Sequence, residues 1–298
     1  MKIDAILSPA ELLALARRDL RDTACVVFDV LRATSTFVTA LHNGAKAVIP
    51  VAEISEALAL RQKQPGVLLG GERDGVKIRA DQTGGGDFDL GNSPREYTPE
   101  KVRGKTIIST TTNGTRALRA CAGAQTVLAA SFLNLTATAK FIRQLQPAQI
   151  LLVCAGTREN LADEDVLAAG ALCEILDAPR APSLLGAPAS RRSRGIAAII
   201  PQGRPVRSRK PELAGETPAL PGTMPRFGGV RLNDSAETAL DAWRKAKSNL
   251  LEVVSEAENA RRLLAVPELR DDVAFCLRRD VFNLAAALGR DGAIRISI

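Results

Sequence analysis

A chain of 298 residues with 46% hydrophobic but only 3% aromatic residues can bury a sizeable aliphatic core, as one large domain or two ordinary ones. The start MKIDAILSP has no apolar stretch behind a basic region, and no segment holds about 18 consecutive apolar residues, so a soluble cytoplasmic protein without a membrane span is expected. The net charge of +7 sits in residues 179–226, where nine Lys or Arg face two acids; the remainder holds 31 of each sign, so nucleic acid is not an expected partner, the basic segment being its one conceivable contact and a tolerated surface insert the preferred reading.

Runs rich in β-branched residues predict strands at 24–30 (ACVVFDV), 45–51 (AKAVIPV), 66–71 (GVLLGG), 105–110 (KTIIST), 125–131 (QTVLAAS) and 149–156 (QILLVCAG). Helix-period stretches such as 54–64 and 134–145 lie between most of them. Apolar strands divided by helices imply an α/β fold, a mostly parallel or mixed sheet covered by helices on both faces in three layers. Residues 71–99, rich in Gly and Asp, read as a long functional loop. Residues 179–226 hold nine of the sixteen prolines and read as a disordered or irregular insertion. Beyond it, residues 234–264 form one long helical pattern and AIRISI a closing strand. The domain reading is a catalytic core at 1–178, the insertion at 179–226, and a helical part at 227–298 that completes the core.

The stretch IISTTTNGTRAL (107–118) poses a local choice. Asn-Gly between apolar runs is a strong hairpin signal, which would pair 107–109 with 125–129 as antiparallel neighbours. Yet Ala117, Leu118 and Cys121 follow at helical spacing, which favours strand, loop and helix, with anion-binding amides at the helix start.

Several chemistries drop out on residue counts. The single histidine, His42, precedes Asn43-Gly44 at an expected helix end, where a cation-prone side chain is ordinary. That removes His-clustered zinc sites and leaves a Ser-His-Asp triad wholly dependent on His42. The five cysteines form no C-x-x-C and lie mostly in apolar runs, as reduced core thiols do; none has an arginine six positions later, as a cysteine phosphatase needs. GGERDGVK (70–77) has Val76 where a P-loop needs lysine. Asp29 is followed two positions on by Leu31, not by the second Asp of a phosphoaspartyl enzyme. What remains is oxygen chemistry, in which carboxylates at strand ends with Arg, Ser, Thr and backbone amides suit a hard cation and a phosphate ester.

Four constellations carry it. In FDVLRATSTFVTALHNGA (28–45) a strand ends at Asp29, Arg32 can fork two anion oxygens, and Thr34, Ser35 and Thr36 bring hydroxyls near a helix start. STTTNGTRAL repeats that order with Thr112, Asn113, Gly114, Thr115 and Arg116. GGERDGVKI and DFDLGNSPREY offer Glu72, Arg73, Asp89, Asn92 and Ser93, with Gly70 and Gly71 permitting close backbone approach to a ligand. CAGTRENLADEDVLAAG places Asp163, Glu164 and Asp165 in a first helical turn, where acids complement the helix dipole or hold a cation. Taken singly, each motif also fits a structural role as a helix cap or a salt-bridged loop.

These motifs, together with SFLN and DDVAFC, occur in an order that resembles the 2-phosphosulfolactate phosphatase (ComB) family over about residues 1–177 and again from near 232. The resemblance implies an α/β, Mg2+-dependent acid phosphatase that hydrolyses 2-phospho-3-sulfolactate to sulfolactate and phosphate, a step of coenzyme M biosynthesis. Within the matched motifs, chemistry assigns catalysis to Asp29, Glu72 and Asn113, and the metal to Asp29 and Glu72 with Glu164 or Asp165. Phosphate binding falls to Arg32, Thr34, Ser35, Thr36, Thr112, Gly114, Thr115 and Arg116, and Arg73 is the candidate for the sulfonate or carboxylate. The expected partner is a small anionic phosphorylated substrate, and a homo-oligomer stays open. Where many members have a Ser-Arg-His-Gly-like stretch, this chain has SEAENARRLL, so Asn259, Arg261 or Arg262 would have to stand in for the histidine.

Overall fold

The computed structural model of the protein describes residues 1–15, 17–178 and 230–297; the expected insertion at 179–226 lies outside the described residues. In chain order the strands are β1 (Lys2–Ile6), β2 (Thr23–Phe28), β3 (Ala47–Val51), β4 (Leu68–Arg73), β5 (Val76–Lys77), β6 (Thr106–Thr110), β7 (Thr126–Ala130), β8 (Gln149–Cys154), β9 (Arg231–Leu232), β10 (Ala286–Leu288) and β11 (Ile294–Ile296). The helices are α1 (Leu12–Leu15), α2 (Ala33–His42), α3 (Ile54–Lys63), α4 (Ala80–Thr83), α5 (Pro99–Val102), α6 (Gly114–Ala120), α7 (Leu135–Leu145) and α8 (Asp163–Asp177), then α9 (Asp234–Ala246), α10 (Leu250–Ser255), α11 (Glu258–Leu264) and α12 (Arg270–Cys276).

The strands form where alternate residues have an apolar layer to enter on each side. All of β2 is buried; Val26 and Phe28 point into one layer, Cys25 and Val27 into the other, as the two-residue period of a strand requires. The first layer is completed by α7, α8, α9 and α11, with Trp243 of α9 fully buried and its indole N–H donating to Glu174 Oε2 at 2.8 Å. The second is completed by α2 and α6. The fold is therefore α/β, as the alternation of apolar runs and helices implies. Gly170 of α8 lets α9 come close, since a Cβ there would lie 2.0 Å from the Ala239 carbonyl oxygen.

The sheet is mixed, in the order β5-β4-β6-β3-β11-β10-β7-β2-β8-β1-β9. One parallel block is β4-β6-β3 and the other is β7-β2-β8-β1-β9. Antiparallel β10 and β11 join them. All six predicted strands are present within two or three residues, and β11 is the expected closing strand. The helical pattern at 234–264 is three helices instead of one, because Asn249 and Ala257 leave helical geometry and turn α11 toward the carboxyl end of β8. Residues 71–99 are less open than a functional loop: they contain β5, α4 and a 3-10 turn at Pro94–Glu96, and Asp89 is held by Arg61 and the Leu69 amide.

The hairpin reading of Asn113-Gly114 fails, since β6 pairs with β3 and β4, and β7 with β2 and β10, while Gly114 opens α6. His42 ends α2 and stacks on Phe282 with ring centroids 4.1 Å apart, a packing role. All five cysteines are free and buried. Among the described residues no helix is long and apolar enough to cross a membrane.

Candidate functional site

The junction after β2 is built by its own hydroxyls. Thr34 Oγ1 donates to the Asp29 carbonyl at 2.9 Å and accepts from the Asp29 amide at 3.0 Å; Ser35 Oγ donates to the Val30 carbonyl and Thr36 Oγ1 to the Asn92 carbonyl, each at 2.8 Å. The three hydroxyls expected to face a phosphate thus hold backbone. Asp29 Oδ1 accepts from the Ala33 amide at 3.0 Å, which orients the carboxylate at the strand end. Burial pushes the Asp29 carboxyl up to about 6; the Ala33 amide opposes that shift and the Glu72 charge adds to it.

Arg32 is almost wholly buried and committed. Its Nη1 donates to Asp272 Oδ2 at 2.9 Å and its Nη2 to the Gly75 carbonyl at 2.6 Å, while Ser93 Oγ donates to the other Asp272 oxygen at 2.7 Å. Asp272 of α12 therefore neutralises the arginine that borders the site and ties the C-terminal helices to it.

Glu72 leaves β4 with both oxygens engaged by backbone: Oε1 accepts from the Thr112 amide at 2.8 Å and Oε2 from the Gly75 amide at 2.7 Å. That joins β4 to the loop after β6. Gly71, at φ +143°, allows it, since a Cβ there would lie 2.0 Å from the Thr110 carbonyl oxygen; the close backbone approach serves sheet packing, not a ligand. Arg73 donates to the Glu72 and Ala52 carbonyls and to Thr110 Oγ1, so its guanidinium is spent on the sheet. At the start of α6, Gly114 lies against Asp29: a Cβ on it would be 2.7 Å from Asp29 Oδ2. Thr115 Oγ1 donates to the Thr111 carbonyl, and Arg116 pairs at 3.0 Å with Glu159 on the surface.

The acids of α8 divide their work. Asp165 accepts from the Val30 amide at 2.8 Å and the Gly156 amide at 3.0 Å, which fixes the loops after β2 and β8. Glu164 accepts from Asn259 Nδ2 at 2.8 Å through Oε1, whereas its buried Oε2 has no partner. Burial pushes Glu164 up to about 7 and raises Asp165, with the neighbouring carboxylates adding to both. The four carboxylates do not converge as a cage; among the described residues no three His, Cys, Asp or Glu side chains are grouped to hold a metal.

A cavity of about 390 Å3 collects the rest. Of the residues expected from sequence, Asp29, Arg32, Glu72, Thr112 and Asn113 line it, and so do Asn259 and Arg262 of α11; Thr34, Ser35, Thr36, Arg73, Gly114, Thr115, Arg116, Glu164 and Asp165 do not. Asn92 lines it too, with a buried side-chain oxygen that lacks a partner. The cavity therefore gathers the carboxyl ends of β2, β4, β6 and β8, where α/β sheets bind ligands. Sequence reasoning missed Arg158, although the signal was there, since Gly-Thr-Arg recurs at 114–116 and 156–158 after two strands. Asp272 was also missed; next to Asp271 in the first turn of a short helix, it carries no local mark of a buried ion pair.

A family model described as 2-phosphosulpholactate phosphatase matches residues 11–189 and 219–290. A protein of Caldanaerobacter subterraneus named probable 2-phosphosulfolactate phosphatase is 49% identical over 161 residues, which are 53% of this chain and 64% of that protein. Proteins of the same name from Thermotoga maritima and Carboxydothermus hydrogenoformans are 50% and 42% identical over 51% and 59% of this chain. They are covered over 61% and 68% of their own lengths. The matched stretch thus spans a little under two thirds of the first of these relatives. Since the model covers most of the chain, from α1 through the α12 ion pair, the protein belongs to the 2-phosphosulpholactate phosphatase family.

Proposed function

We propose that the protein is a Mg2+-dependent phosphoric monoester hydrolase acting on 2-phospho-3-sulfolactate or a similar 2-phospho-hydroxyacid, and that it works in the cytoplasm. The observation that carries this reading is the meeting of Asp29 and Glu72 with Asn113 in one cavity that also presents arginines. The names of the relatives support the substrate class.

The donor set fits the cation. Asp29 and Glu72 would offer it hard oxygens, and one or two protein carboxylates suffice for such a cation. Burial and the Glu72 charge both disfavour ionised Asp29, and a bound cation would relieve both. Asp29 and Glu72 would hold Mg2+, which when bound supplies positive charge to the phosphoryl oxygens. Asn113 and the amides at the start of α6 orient the phosphoryl group, and Arg32, held by Asp272, borders it. Water attacks phosphorus in line, the ester P–O bond breaks, and the sulfolactate oxygen leaves with a proton. The proton that water loses is the one that departs on the sulfolactate oxygen.

The test is phosphate release from a panel of 2-phospho-hydroxyacids with Mg2+ or with chelator. Turnover that needs Mg2+ is expected, together with a loss of about 100-fold or more in Asp29→Asn at a Tm no lower than that of wild type. Turnover indifferent to chelator would sink the metal, and full activity of Asp29→Asn the role of Asp29.

A further inference from the structure

We infer that Arg158 and Arg262 form the subsite for a second anionic group of the substrate, a sulfonate or carboxylate carried by the same molecule as the phosphate ester. The inference rests on the phosphatase reading for its substrate but on separate residues for its evidence.

Both arginines line the cavity that holds Asp29, Glu72 and Asn113. Neither guanidinium has a hydrogen bond, ion pair or ring contact among the described residues, in contrast to the other arginines of the strand ends. Arg32 is neutralised by Asp272, Arg73 is bound to Ala52 and Thr110, and Arg116 is paired with Glu159. The elements that carry the two free cations are fastened to each other: Asn259 of α11 donates to Thr157 Oγ1 and to Glu164 Oε1. Arg158 follows Thr157 directly, and Arg262 stands three positions after Asn259 on the same helical face. Arg158 is held at φ +56° inside a tight turn closed by reciprocal 2.9 Å bonds between the Thr157 and Asn160 backbones. A left-handed arginine is uncommon, and here the turn sets its place at the cavity wall. Two guanidiniums with open donors match the planar or trigonal oxygens of a carboxylate or sulfonate. They also take over the role that the sequence pattern suggests for Arg73.

Three phosphate esters separate the possible sources of that anion: 2-phospho-3-sulfolactate, 2-phospholactate, which lacks the sulfonate, and propan-2-yl phosphate, which lacks both acids. The expected result is that wild type prefers the acidic esters and that Arg158→Gln/Arg262→Gln reduces that preference about 10- to 100-fold in kcat/KM, chiefly through KM. Loss of preference at the first comparison assigns the sulfonate, and loss at the second the carboxylate. Preferences equal in both proteins overturn the inference. A binding arm stands free of turnover: 3-sulfolactate should raise the Tm of wild type and not that of the double variant. If no ester is hydrolysed, the function reading fails while this shift still decides the subsite. Equal shifts, or none in wild type, overturn it.

Discussion

Gly114-Thr115-Arg116 and Gly156-Thr157-Arg158 are the same tripeptide at the ends of two strands, yet they place their arginines in opposite circumstances. After β6 the tripeptide enters α6, and helical geometry carries Arg116 away from the cavity to a surface pair with Glu159. After β8 it folds into a tight turn with positive φ at both Gly156 and Arg158, and Arg158 stays on the cavity wall. Each loop rests on a buried acid: Gly114 lies over Asp29 Oδ2, and the Gly156 amide donates to Asp165 Oδ2. The lesson is that residue type selects the chemistry, whereas local backbone conformation selects which arginine can use it.

The largest expected effect comes from forcing the second loop out of its turn. A Cβ at Gly156 would lie 2.4 Å from the Asn160 carbonyl oxygen and 2.5 Å from Pro9, at φ +66°. Gly156→Ala is expected to cost about 3 kcal/mol of stability by urea denaturation. A cost under about 0.5 kcal/mol would mean that the turn is not what sets Arg158 apart.

Next in size is the response of the acids beneath the loops to pH. Asp29 rises from 3.8 to about 6 and Glu164 from 4.5 to about 7. A carboxyl with a raised folded pKa binds its proton more tightly folded than unfolded. Its stabilisation is complete below the unfolded pKa and is lost as pH climbs through the folded one. Metal-free protein should therefore lose stability between pH 4 and pH 7.5, read as a falling Tm across that range. A Tm that climbs through the window, once exposed carboxylates are allowed for, would reverse the assignment. The smallest effect is at the first loop. Arg116 and Glu159 side chains are 42% and 67% exposed, so Arg116→Gln should cost under about 0.5 kcal/mol in the same denaturation assay, and should raise KM less than Arg158→Gln does.

Much of this was legible in advance. The central strands were readable because both faces are buried and each is a near-continuous apolar run, and the helix starts were readable from Ser and Thr at the strand ends. β1 and β10 were not: KIDAI opens with Lys2, and Ala286–Leu288 has no β-branched residue, so both owe their strand state to neighbours distant in sequence. At the site, Asp29, Glu72 and Asn113 could be picked out as carboxylates and an amide at strand ends. The hydroxyls of Thr34, Ser35, Thr36 and Thr115 could not be told from anion ligands, because capping and anion binding use the same groups. Arg73 misled for a related reason, since carbonyls of the sheet satisfied it first.

The antiparallel pair β10 and β11 has a consequence for how the molecule comes into being. Ile294 sits opposite Val48, and Ala286 opposite Ala129, so the strands that unite the two parallel blocks are synthesised long after either block. Until residues 286–296 leave the ribosome, β3 and β7 each present an open edge with unmatched amides, the kind of surface that invites pairing with another chain. Completion of the sheet therefore waits on contacts of very high sequence separation, which makes it a slow closing event and gives the nascent protein its longest exposure to misassembly at its very centre.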